Sequence, residues 1–441
     1  MLNLGFINPS SDYLHDPFRG DPHTHFHILT LLESRLEGQI NPLLVDLRGI
    51  QKKFALSHIP ECDAYLHSVY TLDYEEQASI IKGLRELYPN AKHIAGGPHV
   101  NVFPEECLKV FDSIILGDGE ESIIKAIGDI KSSALKKIYK QESPININDY
   151  PVPSRKYLPK TAVVKKGLMK LRHEKGSEEL LGTTVIFTRG CPYKCYFCAI
   201  PEVRQYNEGI RERSPELIKD EITYLQKEYG VEGINLLDEI GIPLSRKRAI
   251  SRLEAMAATG IKWRGQCRVD GIDQELAKLA KESGCVSLGL GVESVSQKAL
   301  DIINKKINVE EAKQTIHLLK ENRIEARAYI ILGLPGEPKD IVDQTWSFIQ
   351  ETNPEVVYLS IFTIRPGTEV YDNPKKFGIK NITNDWTKNH HMYGRYKEEL
   401  PKMTFEYEKQ TPWGIGPSQE EIISNYVNLQ TRLREKGISS L

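Results

Sequence analysis

The strongest constraint in this sequence is a rhythm that occurs twice: a short apolar run, a turn, a helical stretch, then another apolar run. Strands joined through helices return parallel to one another, so such a chain builds parallel sheets covered by helices. In the first series the strand candidates are residues 2–8, 43–47, 64–70, 92–95 and 113–116, with helical stretches at 26–36 and 75–87 between them. Within the second of these, Ile80, Ile81, Leu84 and Leu87 recur at helical spacing. Five strands in this pattern predict a Rossmann-like, flavodoxin-like domain over residues 1–130. Ligands of such sheets lie beyond the carboxyl ends of the strands.

Residues 131–180 read as a linker, because Pro151, Pro153 and Pro159 and the charged run 173–179 suit an extended surface segment. The second series has strand candidates at 184–188, 234–237, 262–267, 287–292, 328–332 and 356–364. Its clearest helix runs from Pro215 to Tyr229, with Ser214 at the N-cap and Gly230 just past the end. Six such units over residues 181–375 predict a partial (βα)6 barrel, with chemistry at the carboxyl ends of its strands. Residues 376–441 read as a mixed, partly helical extension without a recognisable motif.

Composition narrows the function. The chain has 441 residues, with 58 Lys plus Arg against 60 Asp plus Glu, so no basic excess points to nucleic acid. No run approaches the roughly 20 apolar residues of a membrane span. The first residues carry no positive segment ahead of their apolar run, so no signal peptide is expected. Seven cysteines, three of them within eight positions, argue against a disulfide framework and for metal chemistry in a reducing cytoplasm.

Those three are Cys191, Cys195 and Cys198, directly after the apolar run Val185-Ile186-Phe187. The spacing Cys-x3-Cys-x2-Cys places three thiols on one loop at a strand end. Iron–sulfur clusters of the [4Fe–4S] type usually take four thiolates, so three leave one iron open to a ligand. A structural zinc site needs a fourth donor, and Cys267 and Cys285 lie far downstream. Those two, with the isolated Cys62 and Cys107, read as packing residues.

The motif Cys-x3-Cys-x-aromatic-Cys, with Phe197 as the aromatic, resembles that of the radical S-adenosylmethionine (SAM) enzymes. The resemblance implies a [4Fe–4S] cluster held by the three cysteines, with SAM on the open iron. One electron from the cluster cleaves SAM to methionine and a 5′-deoxyadenosyl radical. Further segments match in order. Asp238-Glu239 stands where the family places an acidic pair for the cofactor's amino group, without the usual glycines. Arg268 is a candidate carboxylate partner, with a salt bridge to Asp270 or Asp273 as the alternative. Glu293-Ser294 resembles the Gly-x-Glu-Ser segment, and Gly333-Leu334-Pro335-Gly336-Glu337 the turn near the adenine.

The first domain resembles the cobalamin-binding domain that precedes the barrel in one branch of this superfamily. The resemblance rests on Ser68 and Thr71 after the third strand, Gly96, Gly97 and His99 after the fourth, and Gly117, Gly119 and Glu120 after the fifth. It implies cobalamin as a further cofactor. Asp21-Pro22-His23 begins like the Asp-x-His-x-x-Gly signature of a cobalt ligand but lacks its glycine. The expected activity is cobalamin-dependent methylation of an unactivated carbon in an unknown substrate. Radical cyclisation, rearrangement or oxidation without methyl transfer is the alternative, and a non-enzymatic iron–sulfur redox sensor a further one. An electron donor such as flavodoxin or ferredoxin is implied. The run 389–393, with its histidines and tyrosine, is a candidate substrate lining.

Overall fold

The computed structural model describes all residues except 142, 174–175, 200–208, 387–401 and 441. The chain divides into two compact units, one built on Met1–Val164 with the described part of 200–212, the other on the remainder.

The first unit is a six-stranded, wholly parallel sheet: β1 (Leu2–Asn8), β2 (Ile40–Asp46), β3 (Ala64–Ser68), β4 (Lys92–Gly96), β5 (Ser113–Leu116) and β6 (Ile138–Lys140), in the order β2-β1-β3-β4-β5-β6. β3 is buried along its whole length, as expected of a central strand covered by helices on both faces. The helix Tyr74–Leu87 buries Ile80, Ile81 and Leu84 as its apolar stripe predicts. Leu87 departs from the prediction: at the last position of the helix it is 54% exposed. Strand β6 was not foreseen, because of its three residues only Tyr139 is buried and no alternation is readable.

The second unit is a partial barrel whose eight strands form one sheet. Its central strands are β8 (Gly176–Val185), β9 (Gly233–Leu236), β10 (Lys262–Cys267), β11 (Cys285–Glu293), β12 (Glu325–Leu332) and β13 (Val356–Ile361), each parallel to the next. Ser439–Ser440 extends the sheet beside β13. At the other edge lies β7 (Lys165–His173), antiparallel to β8. This strand occupies part of the expected linker. Its lysines disguise it in the sequence, and lysines on an edge strand are a known guard against unwanted pairing. Met169 is fully buried and pins it to the core.

The helix Pro215–Tyr229 forms as read: Ser214 Oγ accepts from the Leu217 amide, and Gly230 adopts the left-handed φ of +68°. The C-terminal helix Gln419–Glu435 starts at a capping box between Ser418 and Glu421, a signal that the spacing Ser-x-x-Glu carries in the sequence. No helix among the described residues is long and apolar enough to cross a membrane.

Candidate functional site

The three cysteines sit on the loop that follows β8. Backbone bonds tie this loop to two neighbours: the Tyr196 amide donates to Ile303 O at 2.9 Å, and the Val370 amide donates to Tyr196 O at 3.2 Å. Asn304 Nδ2 adds a bond to Lys194 O at 2.7 Å. The Arg268 guanidinium lies 3.5 Å from the centroid of the Tyr193 ring, close enough for a strong cation–π contact. The same guanidinium is held by Asp270 at 2.8 and 3.0 Å and donates to the carbonyls of Lys305 and Lys306. Arg268 therefore braces the cysteine loop, and Asp270 is the partner it takes.

Cys191 and Cys198 are half-buried and Cys195 is buried. Burial pushes the Cys195 thiol up, while the nearby Lys305 and Arg268 cations pull it down. Burial outweighs the two cations, so the thiol is held above its ordinary value. Among the described residues, no three His, Cys, Asp or Glu side chains stand close enough to hold a metal ion. The donor chemistry nonetheless fits a cluster: three thiols share one loop, and the other four cysteines are buried elsewhere in the two cores. Cys267 and Cys285 are both held well above the ordinary thiol range by burial, as expected of inert packing residues. Metal-binding loops commonly close only as they take up their metal.

The other predicted positions lie at successive strand ends. Glu293, at the end of β11, has the left-handed φ of +64°, uncommon for a residue with a side chain. Its carboxylate meets Lys305 Nζ at 2.5 Å. Lys305 is itself buried, with its ammonium 6.0 Å from the Phe197 ring centroid. It was missed in the sequence, where Asn304-Lys305-Lys306 reads as an ordinary solvated charge run. A Cβ at Gly291 would fall 2.7 Å from Glu293 Oε1 and 2.8 Å from Lys305 Nζ, so a side chain there would displace the ends of this pair.

Ser294 Oγ donates to Glu337 at 2.9 Å, and the Gly333 amide donates to the same carboxylate at 2.8 Å. One acid thus joins the end of β11 to the Gly-Leu-Pro-Gly turn after β12. Tyr407, from the C-terminal extension, donates its hydroxyl to Gly333 O at 2.8 Å. Burial pushes the Glu337 carboxyl up to about 7, although the Gly333 amide and Ser294 hydroxyl pull it down. The folded protein then keeps this proton up to about pH 7, while an unfolded glutamate releases it near 4.5. Stability is therefore lost as pH rises between those values, at up to about 1.4 kcal/mol per pH unit. The variant E337Q is expected to flatten this slope in thermal melts between pH 5 and 7.

After β9, Glu239 is half-buried, while Asp238 is fully enclosed. Both Asp238 oxygens are engaged, Oδ1 by the Phe187 and Thr188 amides and Oδ2 by Arg252. The structure thus turns one member of the acidic pair inward.

In the first unit, loops at the carboxyl ends of β3 and β4 bring Ser68, Thr71, Gly96, Gly97 and His99 together. The Val69 amide donates to Gly96 O at 2.8 Å, the His99 amide to Val69 O at 3.1 Å, and His99 Nδ1 lies 3.3 Å from Thr71 Oγ1. Gly97 has φ of +107°, and a Cβ there would stand 2.9 Å from the Val69 amide nitrogen. G97A should therefore cost about 1–3 kcal/mol of stability, the range for a residue forced into such backbone. Urea unfolding of the variant measures this. The Gly117 amide donates to Asn101 Oδ1 at 3.0 Å, and Gly119 precedes the helix Glu120–Lys131. Glu120 is buried, with His27 Nε2 at 2.8 Å from its carboxylate. His23 begins the helix His23–Arg35, and His25 points inward to Ile7 O at 3.0 Å. The run 389–393 lies outside the described residues.

A three-thiol loop at the carboxyl end of the first parallel strand of an open barrel, with acids at the following strand ends, defines a cofactor-dependent α/β enzyme. Residues 185–349 match the Radical SAM superfamily, and the chain is an enzyme that carries a radical SAM domain. Members of the superfamily use SAM as their cofactor. An uncharacterized methyltransferase of Pyrococcus horikoshii is 28% identical over 368 residues, covering 78% of this chain and 74% of the relative. An anaerobic magnesium-protoporphyrin IX monomethyl ester cyclase of Cereibacter sphaeroides is 29% identical over 309 residues; the match covers 66% of this chain and half of the cyclase. Among solved structures, the radical SAM methyltransferase TsrM of Kitasatospora setae, with cobalamin and a [4Fe–4S] cluster bound, superposes with a TM-score of 0.69. It is 16% identical, and the superposition covers 87% of this chain and 81% of TsrM.

Proposed function

We propose that the chain is a cobalamin-dependent radical SAM methyltransferase acting on an unactivated carbon. The observation that carries this is the pairing of the three-cysteine loop with a separate parallel sheet whose carboxyl-end loops are built from glycine, serine and threonine. In this reading Cys191, Cys195 and Cys198 hold the cluster, which supplies the electron that breaks the sulfur–carbon bond of SAM. Phe197, Glu239, Glu293, Ser294 and Gly333 line the cofactor. Glu293 presents its carboxylate to hydroxyl or ammonium groups, and Lys305 balances its charge. Arg268 serves through Tyr193, as a brace. Ser68, Thr71, Gly96, Gly97, His99, Gly117 and Gly119 hold the corrin through neutral hydrogen bonds and close backbone approach. Glu120 acts from behind, through His27. Electrons come from a small carrier such as flavodoxin or ferredoxin.

Support comes from the methyltransferase relative and from the fold shared with TsrM. The test is anaerobic reconstitution with iron and sulfide, with and without hydroxocobalamin. Methyl transfer predicts bound corrin and, once the substrate is supplied, both 5′-deoxyadenosine and S-adenosylhomocysteine. The cyclase relative favours a second reading, radical cyclisation without methyl transfer. Stoichiometric 5′-deoxyadenosine without S-adenosylhomocysteine selects that reading.

A further inference from the structure

Behind the cysteine loop lies a buried ion pair, Asp238 with Arg252. Asp238 Oδ1 accepts from the Phe187 amide at 2.7 Å and from the Thr188 amide at 3.1 Å. Its other oxygen takes Arg252, whose guanidinium also lies over the Phe187 ring, 5.5 Å from the centroid. Arg252 Nε and Nη1 have no hydrogen-bond partner among the described residues. A buried cation so poorly supplied depends on its counter-ion, and the two hold each other in one geometry. Gln266 Nε2 fixes the backbone on this side, donating to Asp238 O at 3.1 Å.

The consequence lies in what Oδ1 grips. Phe187 and Thr188 are the residues at which the chain leaves β8, and Cys191 follows three positions later. Gly190, between them, has a left-handed φ of +89°, so the chain turns sharply there. A carboxylate that clamps two successive amides just before such a turn sets the direction in which the loop departs. We propose that Asp238, anchored by Arg252, is a positioning residue for the three-cysteine loop: it orients the loop so that the open iron faces SAM. Asp238 acts through the backbone and does not touch the cofactor. The inference rests on the cysteines being cluster ligands and is independent of methyl transfer.

Two double variants test it: D238A/R252M, which removes the clamp together with the buried charge, and D238N/R252M, which keeps an oxygen able to accept from both amides. Replacing both charges avoids leaving either buried alone. Each is reconstituted anaerobically beside the wild type. Iron per chain, the change in the electron paramagnetic resonance spectrum on adding SAM, and the SAM Kd are then measured. The alanine variant is expected to keep its iron, lose the spectral change and bind SAM about ten- to hundredfold more weakly, the range for groups that support metal ligands. The asparagine variant is expected to restore the spectrum and bind within about threefold of wild type, well short of that range.

Wild-type affinity and spectrum in D238A/R252M would overturn the proposal. So would a D238N/R252M protein as defective as the alanine variant, which would mean direct contact between the carboxylate and SAM. Should the alanine variant not fold, R252M decides: unlike the neutral asparagine, the Asp238 carboxylate is left charged and unpaired in the core, so it is expected to turn away from the two amides and the protein to bind SAM more weakly, and wild-type affinity there overturns the proposal. Failure of the cluster assignment looks different, because the reconstituted wild type would then hold no cluster.

Discussion

Alanine at Cys191, Cys195 or Cys198 is expected to abolish cluster binding and with it all formation of 5′-deoxyadenosine. The loop carries three thiols, and the four remaining cysteines are buried in the cores of the two units, so none can replace a lost ligand without unfolding its surroundings. A cluster already short of one thiolate has no spare donor. Iron and sulfide per chain after anaerobic reconstitution measure the first effect, and the nucleoside product measures the second. C62A and C107A serve as controls, since both residues lie in the core of the first unit. They are expected to lower stability and leave iron content unchanged. Wild-type iron in any of the three loop variants would count against the assignment.

Acid is expected to unfold the first unit well above the pH at which carboxylates titrate. His25, His67, His93 and His99 are all buried there. Burial holds His25, His93 and His99 down at about 4, and holds His67 well below the ordinary range, with His93 adding to the effect. His67 lies between Gln77 at 3.0 Å and His93 at 3.3 Å, a chain that needs neutral rings. The unfolded state takes up these protons near pH 6.5, whereas the folded state refuses them until about 4. The stability contributed by neutral burial is complete above pH 6.5 and is lost as pH falls toward 4. One such ring contributes about 3 kcal/mol across that window, and several together exceed the margin of a typical domain. Hydrogen exchange in β3 and β4, followed from pH 7.5 to 5, reads this directly. H93L, which keeps a neutral buried side chain, is expected to make the slope shallower. A first unit equally protected at pH 5 and pH 7.5 would refute the prediction.

Much of the architecture was legible because its signals are local. The alternation of apolar runs gave both sheets, and Ser214, Pro215 and Gly230 marked a helix whose caps form as read. The cysteine spacing is equally local, and so are the glycines at strand ends. What was not legible depends on partners far apart in the chain. His27 and Glu120 are 93 positions apart, and neither announces the other. Lys305 reads as one more solvated lysine until the fold sets it against Glu293 and Phe197. Asp238 reads as a ligand-facing acid because sequence cannot show which way a side chain turns at a strand end. Here the inward turn is fixed by Arg252, a helical residue 14 positions later. Strand β7 was missed for a related reason: its charges are those of an edge, and an edge has one partner and little core.

Protein reconstituted without oxygen and reduced with dithionite is expected to convert SAM to 5′-deoxyadenosine and methionine in equal amounts. That result would follow from an iron left open by three thiolates. A fully reduced cluster that leaves SAM intact would contradict it.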